Sequence, residues 1–187
     1  DDLPGKRCGE CHSRGDSLGR IEASGDSGSV FIDHNSQYDE LLAGPHAARN
    51  CVDCHNPHQP TRFAPELGIK ILCTNCHGAK PVSGPMSNLQ CIDCHMPSAS
   101  KSAITYSDRE ADVRTHLFRI NPAAVEAEEP GTGPGTGGMF YTDDGVDGKL
   151  VSNGYLTLDF ACNHCHGITA GTRNLSQLSS KATGIHQ

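Results

Sequence analysis

CVDCH, from Cys51 to His55, has four companions in this 187-residue chain: CGECH (Cys8, Cys11, His12), CTNCH (Cys73, Cys76, His77), CIDCH (Cys91, Cys94, His95) and CNHCH (Cys162, Cys165, His166). All ten cysteines fall in these five motifs. C-x-x-C-H is the attachment signature of c-type haem. Two thiols must add to the two vinyl groups on one porphyrin edge, and a two-residue gap lets one turn present both sulfurs together. The next residue then hangs its imidazole under the iron as the proximal ligand. CxxC pairs also build zinc knuckles, but four thiolates around zinc need no histidine after each second cysteine. A disulfide framework accounts for an even number of cysteines and again not for the histidines. Histidine is 11 of 187 residues, so five chance successes in five have odds of roughly one in a million for this pattern. The sequence therefore predicts five covalently attached haem c groups.

The polypeptide is thin in core-forming residues. Leu, Ile, Val and Phe total 34 of 187, about 18 %, and there is no Trp. Such a chain would struggle to offset its conformational entropy by itself. Porphyrins are large flat apolar bodies, each tied in at three points. The expected fold is thus mostly irregular and loop-rich, with a few short α-helices, a small β-hairpin and a core formed by a stack of five haems. The formal charge is −7 before cofactors, and the basic residues are scattered without a run. This argues against nucleic acid as a partner. No stretch approaches the ~20 apolar residues of a membrane span. Asp1–Asp2–Leu3–Pro4 reads as a mature terminus after signal cleavage. Haem c is attached outside the cytoplasm in prokaryotes, so the expected location is extracellular or periplasmic, with both ends packed down.

Three regions make one cofactor-organised unit: 1–125 with haems 1 to 4, a Pro/Gly linker at 126–138, and 139–187 with haem 5 and a Ser/Thr-rich tail. Asn35 and Ser36 are set to cap a helix running to Ala43, stopped by Gly44 and Pro45. Ser87 to His95 is a second candidate helix. Thr115 to Ile120 alternates like a strand or a tight extended segment. Met139 to Thr142 is expected to pair with Tyr155 to Leu158 across the Asp144–Gly145 and Asp147–Gly148 turns. Arg14–Gly15–Asp16 and Gly25–Asp26–Ser27–Gly28 match adhesion and protease motifs without supporting context, and turn chemistry accounts for both. The same holds for Asp143, Asp144 and Asp147, whose spacing departs from a calcium loop. Asn174–Leu175–Ser176 matches a glycosylation sequon weakly.

Five histidines are proximal: His12, His55, His77, His95 and His166. Six remain: His34, His46, His58, His116, His164 and His186. Five six-coordinate haems need five distal ligands, so the supply meets the demand with one to spare. An iron with imidazole on both faces exchanges electrons without binding substrate. His164 sits inside its own motif and would have to serve a neighbouring haem. Met86, Met96 and Met139 are lesser axial candidates.

DHNSQYDELLAGPHAARNCVDCHNPH (33–58), CIDCHMP (91–97), DVRTHLFRINP (112–122) and LTLDFACNHCH (156–166) resemble phrases found in bacterial and archaeal multihaem c-type cytochromes. More narrowly, the N-terminal half is similar to subunits of extracellular cytochrome filaments. That resemblance implies electron transfer through bis-histidine haems by a homopolymer, in which a histidine of one subunit completes a haem of the next. His186 or His34 would play that part. A monomeric periplasmic shuttle, working with redox partner proteins, is the alternative. A multihaem enzyme converting nitrogen compounds is the rival class, which the ligand supply and the absence of a CxxCK motif disfavour.

Overall fold

The computed structural model describes residues 5–13, 20–24, 30–131, 136–141, 147–167 and 173–186. The Arg14–Gly15–Asp16 and Gly25–Gly28 matches, Asp143, Asp144 and residues 1–4 lie outside these ranges. In chain order the elements are α1 (Lys6–His12), β1 (Ile32–Asp33), α2 (Gln37–Ala43), α3 (Cys51–Cys54), α4 (Pro65–Gly68), α5 (Thr74–His77), a 3-10 turn (Gly84–Met86) and α6 (Cys91–His95). Then follow β2 (Ser100–Ser107), β3 (Glu110–Val113), β4 (Phe140–Tyr141), β5 (Val151–Ser152), α7 (Leu158–Ala161), α8 (Asn163–His166) and α9 (Leu175–Ala182).

β1 pairs in parallel with β2 (Ile32 opposite Ser100), and β2 pairs antiparallel with β3. β4 and β5 form an antiparallel pair, Phe140 opposite Ser152. Isolated bridges from Glu22 to Val151 and from Ala23 to Ile32 stitch the two sheets together. Around them lies the core, which includes Ile21, Phe31, Ile32, Leu117, Met139, Phe140, Leu156 and Phe160. The Phe31 and Phe160 rings meet edge to face at 5.4 Å. Arg109 lies over Phe160 and bonds Asp159 at 3.1 Å, and Asp159 accepts the Ala127 N–H at 2.9 Å. Ala127, inside the 126–138 segment, and Met139, just after it, are both buried in this core.

Several expectations are corrected. The capped helix exists as α2, but the Ser36 hydroxyl donates to the Asp33 carbonyl (2.8 Å) and does not cap the first turn. Ser87 to His95 is not one helix: 87–90 stay irregular, and Asp93 accepts the Gln90 N–H at 2.9 Å, so the helix starts only at Cys91. The partner of Phe140–Tyr141 is Val151–Ser152, not Tyr155–Leu158. Gly154, at φ 78, redirects the chain just after β5, where a side chain would be strained. Leu156 then bridges Ile120, and α7 starts after Thr157, whose hydroxyl makes no cap hydrogen bond. Thr115 to Ile120 is not a strand, because Phe118 has φ 60 and breaks the extended run.

The outer part of the chain is different in kind. Between residues 51 and 96 only Gly68 is buried. Phe63 is 81 % and Leu72 67 % exposed there, with Leu67 and Leu89 also exposed. This stretch carries three of the five CxxCH motifs. Among the described residues no helix is long and apolar enough to cross a membrane.

Candidate cofactor site: facing imidazoles along a row of cysteine pairs

Each CxxCH motif winds into a helical turn. Positions i, i+3 and i+4 share a helix face, so both sulfurs and the imidazole of one motif emerge on one side. The second x residue helps start the turn in three motifs. Asp53, Asn75 and Asp93 accept the backbone N–H of Asn50, Leu72 and Gln90, the residues just before the first cysteine, at 3.0, 3.0 and 2.9 Å. In α1 the x residue Gly9 instead makes room, since a Cβ there would lie 2.4 Å from the Tyr38 ring. That close approach seats the first motif on α2.

Neighbouring motifs approach one another in chain order. Cys8 lies against Cys51, Cys54 near Cys76, Cys73 against Cys91, and Cys94 near Cys162 and Cys165. Burial, then these neighbouring thiols, pushes Cys51 and Cys73 up, and Cys162 up to about 12. Among the described residues, no group of three or more His, Cys, Asp or Glu converges as a metal cage.

The imidazoles come in facing pairs. His55 faces His116 with ring centroids 6.1 Å apart and planes at 41°. His77 faces His46 at 5.7 Å and 87°, and His95 faces His186 at 6.0 Å and 13°. Two imidazoles bound on opposite sides of one metal, each through a nitrogen about 2 Å away, have centroids roughly 6 Å apart. Each pair joins the histidine of one CxxCH to a histidine from elsewhere in the chain. These are thus three places where the two thiols of a motif and two facing imidazoles fit the donor set of haem c. Burial, then His55, lowers His116 to about 4. Burial, then His77, lowers His46, and burial, then His12, lowers His55. Each is thereby favoured as the neutral imidazole, the form that a metal ligand needs.

The other nominated residues stand apart. His12 is exposed and lies near His55 and His116. His34 is half-exposed beside Asp33 (3.6 Å), ahead of α2. His58 is exposed, its backbone N–H donating to Asn56. Among the described residues, no imidazole faces His58, His12 or His166 at the axial spacing. The side chain of His164 lies outside the described residues. Met139 is buried in the core, and Met96 ends α6, where its carbonyl accepts from Arg114. His186, nominated by resemblance for a neighbouring subunit, faces His95 of its own chain. Asn174, the sequon residue, caps α9 by accepting from Gln177 N at 2.9 Å.

Two residues that the sequence did not nominate organise the site. Glu40 of α2 is fully buried and accepts from Thr115 Oγ1 (2.6 Å), Ser100 Oγ (3.1 Å) and the His116 backbone N–H. It thereby fixes the loop that carries His116. Phe118 follows two residues later, and its carbonyl accepts from His95 Nδ1 at 2.8 Å. A carbonyl there leaves Nε2 for the metal. A carboxyl inside the run DELLAGPH looks like an ordinary solvent-facing helix residue, so no sequence signal marks Glu40.

Burial outweighs these hydrogen bonds and raises Glu40 from 4.5 to about 7. An acid with a raised folded value favours the fold at low pH, and that contribution fades as pH climbs from the unfolded value to the folded one. Between pH 5 and 8 the protein is expected to lose up to about 3 kcal/mol through this group. Glu40→Gln removes the slope. Denaturant midpoints of both proteins at the two pH values check this; parallel curves would contradict it.

No protein-family model and no curated protein matches the chain. In fold it is similar to the octahaem sulfite reductase MccA of Wolinella succinogenes (form II), with a TM-score of 0.51 at 18 % identity over 87 % of this chain. The match spans 29 % of that protein's length. The shared feature is the fold, that of part of a multihaem protein: loop-rich, with short helices and a small sheet.

Proposed function

We propose that this chain transfers electrons through five covalent haem c groups, set in a row in the order of their motifs. The observation that carries this reading is the set of three facing imidazole pairs, each containing a CxxCH histidine, at the spacing of two axial ligands on one iron. Haem c, when bound, supplies a one-electron couple, and its potential follows its axial ligands. The chain does the rest. Cysteine pairs would tether the macrocycle, and His116, His46 and His186 would supply the second imidazole at motifs 2, 3 and 4. Glu40 and the Phe118 carbonyl hold ligands in place. The pairwise approach of the motifs supports a continuous path from motif 1 to motif 5. At the two ends, His34, His58 and His164 are the chain's own candidates for the second face.

The finer reading is a repeating subunit of an extracellular cytochrome filament, supported by the sequence resemblance. His12 and His166 mark the ends of the row, where copies of the chain would meet. Fold similarity to an enzyme supplies the rival, reduction of a small molecule at an iron with one open face. Iron analysis and spin state test both. Five irons per chain, with motifs 2 to 4 low-spin, are expected. Carbon monoxide bound by the reduced polymer would favour catalysis, and zinc in place of iron would end the proposal. A filament sediments and shows in negative stain, whereas a shuttle elutes near its monomer mass.

A further inference from the structure

Phe118 is a bulky residue at φ 60, a backbone region such residues rarely adopt. This conformation serves three imidazoles at once. The carbonyl accepts from His95 Nδ1 at 2.8 Å. The ring lies edge to face with His46 (4.5 Å, 77°) and with His116 (5.9 Å, 86°). One residue therefore touches one member of each facing pair. The anchoring differs between them. The plane of His95 is set by a hydrogen bond, as usual for a ligating histidine. His46 Nδ1 has no hydrogen-bond partner among the described residues. No hydrogen bond at Nδ1 sets the rotation of that ring, and among its aromatic neighbours the Phe118 ring lies nearer than His77. His116 Nδ1 likewise has no hydrogen-bond partner among the described residues, though the Arg114 carbonyl lies near its ring. Arg114 in turn donates to the Ile92 and Met96 carbonyls, which ties this loop to α6.

We infer that Phe118 is a positioning residue for three successive irons: its ring sets the imidazole plane of His46, and to a lesser degree that of His116, while its carbonyl orients His95. The inference rests on the facing pairs being axial ligands. It predicts a spectroscopic signature. In low-spin ferric haem with two imidazoles, crossed planes leave two iron d orbitals nearly degenerate and give a large maximal g value. Near-parallel planes split those orbitals and give a rhombic spectrum. The His77–His46 pair is crossed at 87° and the His95–His186 pair nearly parallel at 13°, so the two are separable by electron paramagnetic resonance.

Phe118→Gly keeps the left-handed backbone and the carbonyl and deletes only the ring. The expected result on the haem-loaded protein is a shift of the large-g component with the rhombic component of His95–His186 unchanged, and return to the wild-type spectrum in Phe118→Tyr. Where Phe118→Gly does not accumulate haem-loaded, Phe118→Leu, which keeps bulk without an aromatic edge, is read the same way. A variant spectrum that superimposes on wild type overturns the inference. So does an equal change in both components, which is what loosened folding alone would give. A wild-type protein with no low-spin bis-imidazole signal overturns the axial pairs themselves, and that failure shows before any variant is made.

Discussion

Produced without haem attachment, the chain is expected to show the far-ultraviolet circular dichroism of an unfolded polypeptide and no cooperative melt. Fixing a residue's backbone costs about 1–2 kcal/mol, so ordering residues 51–96 costs tens of kcal/mol. Against that, the polypeptide buries only Gly68 in this stretch, while Phe63 and Leu72 stay mostly exposed. Motifs 2 to 4 gain almost nothing from protein contacts alone. The remaining core is small, and part of it depends on the same cofactors. Leu117 is buried between His116 and Phe118, so the loop that faces three imidazoles is also a core strap. Haem attached at Cys51, Cys54, Cys73, Cys76, Cys91 and Cys94 would cover the exposed apolar side chains and cross-link the helical turns. Comparison of the haem-free and haem-loaded proteins by circular dichroism and thermal melting decides the point. A folded haem-free chain would show that the two small sheets suffice.

What was legible in the sequence is what short-range chemistry dictates. The CxxCH turns are legible because two sulfurs and an imidazole must share one helix face within five residues. α2 is legible from its start near Ser36 and its stop at Gly44 and Pro45. The facing imidazoles were legible as a supply of histidines but not as pairs, because His116 reaches His55 and His186 reaches His95 only through the tertiary path. The β2–β3 hairpin was missed because its strands carry mostly polar residues at the surface. They are held instead by the Asp112 carboxylate, which accepts from Ser102 N (2.7 Å) and Ala103 N (3.1 Å). The pairing of β4 was misassigned because Gly154 at positive φ lies between the true strand and the more apolar Tyr155–Leu158 segment. Glu40 and Phe118 carry no sequence signal, since a helix carboxylate and a loop phenylalanine read as ordinary residues until burial and backbone conformation are known.

His116→Met is expected to raise the reduction potential at motif 2 by on the order of 0.1 V, within the roughly 0.8 V that axial ligation spans. The fold around the site should survive. Glu40 bonds the backbone N–H of residue 116 and the Thr115 hydroxyl, neither of which the substitution removes. Methionine is close to histidine in reach and binds iron as a thioether. The consequence for transport follows from one-electron arithmetic: about 59 mV changes occupancy tenfold, so a rise of about 120 mV makes that iron hold its electron about a hundredfold more strongly. In the proposed row the path from motif 1 to motif 3 runs through motif 2. The substituted protein should therefore accept electrons at one end normally and pass them on more slowly, with one centre separated in a potentiometric titration. His58→Met is the matched comparison: His58 is exposed and no imidazole faces it among the described residues, so motif 2 should keep its potential. If His58→Met moves that centre and His116→Met does not, the facing of His55 and His116 is not the axial pair, and the ligand assignment of the whole row has to be redrawn.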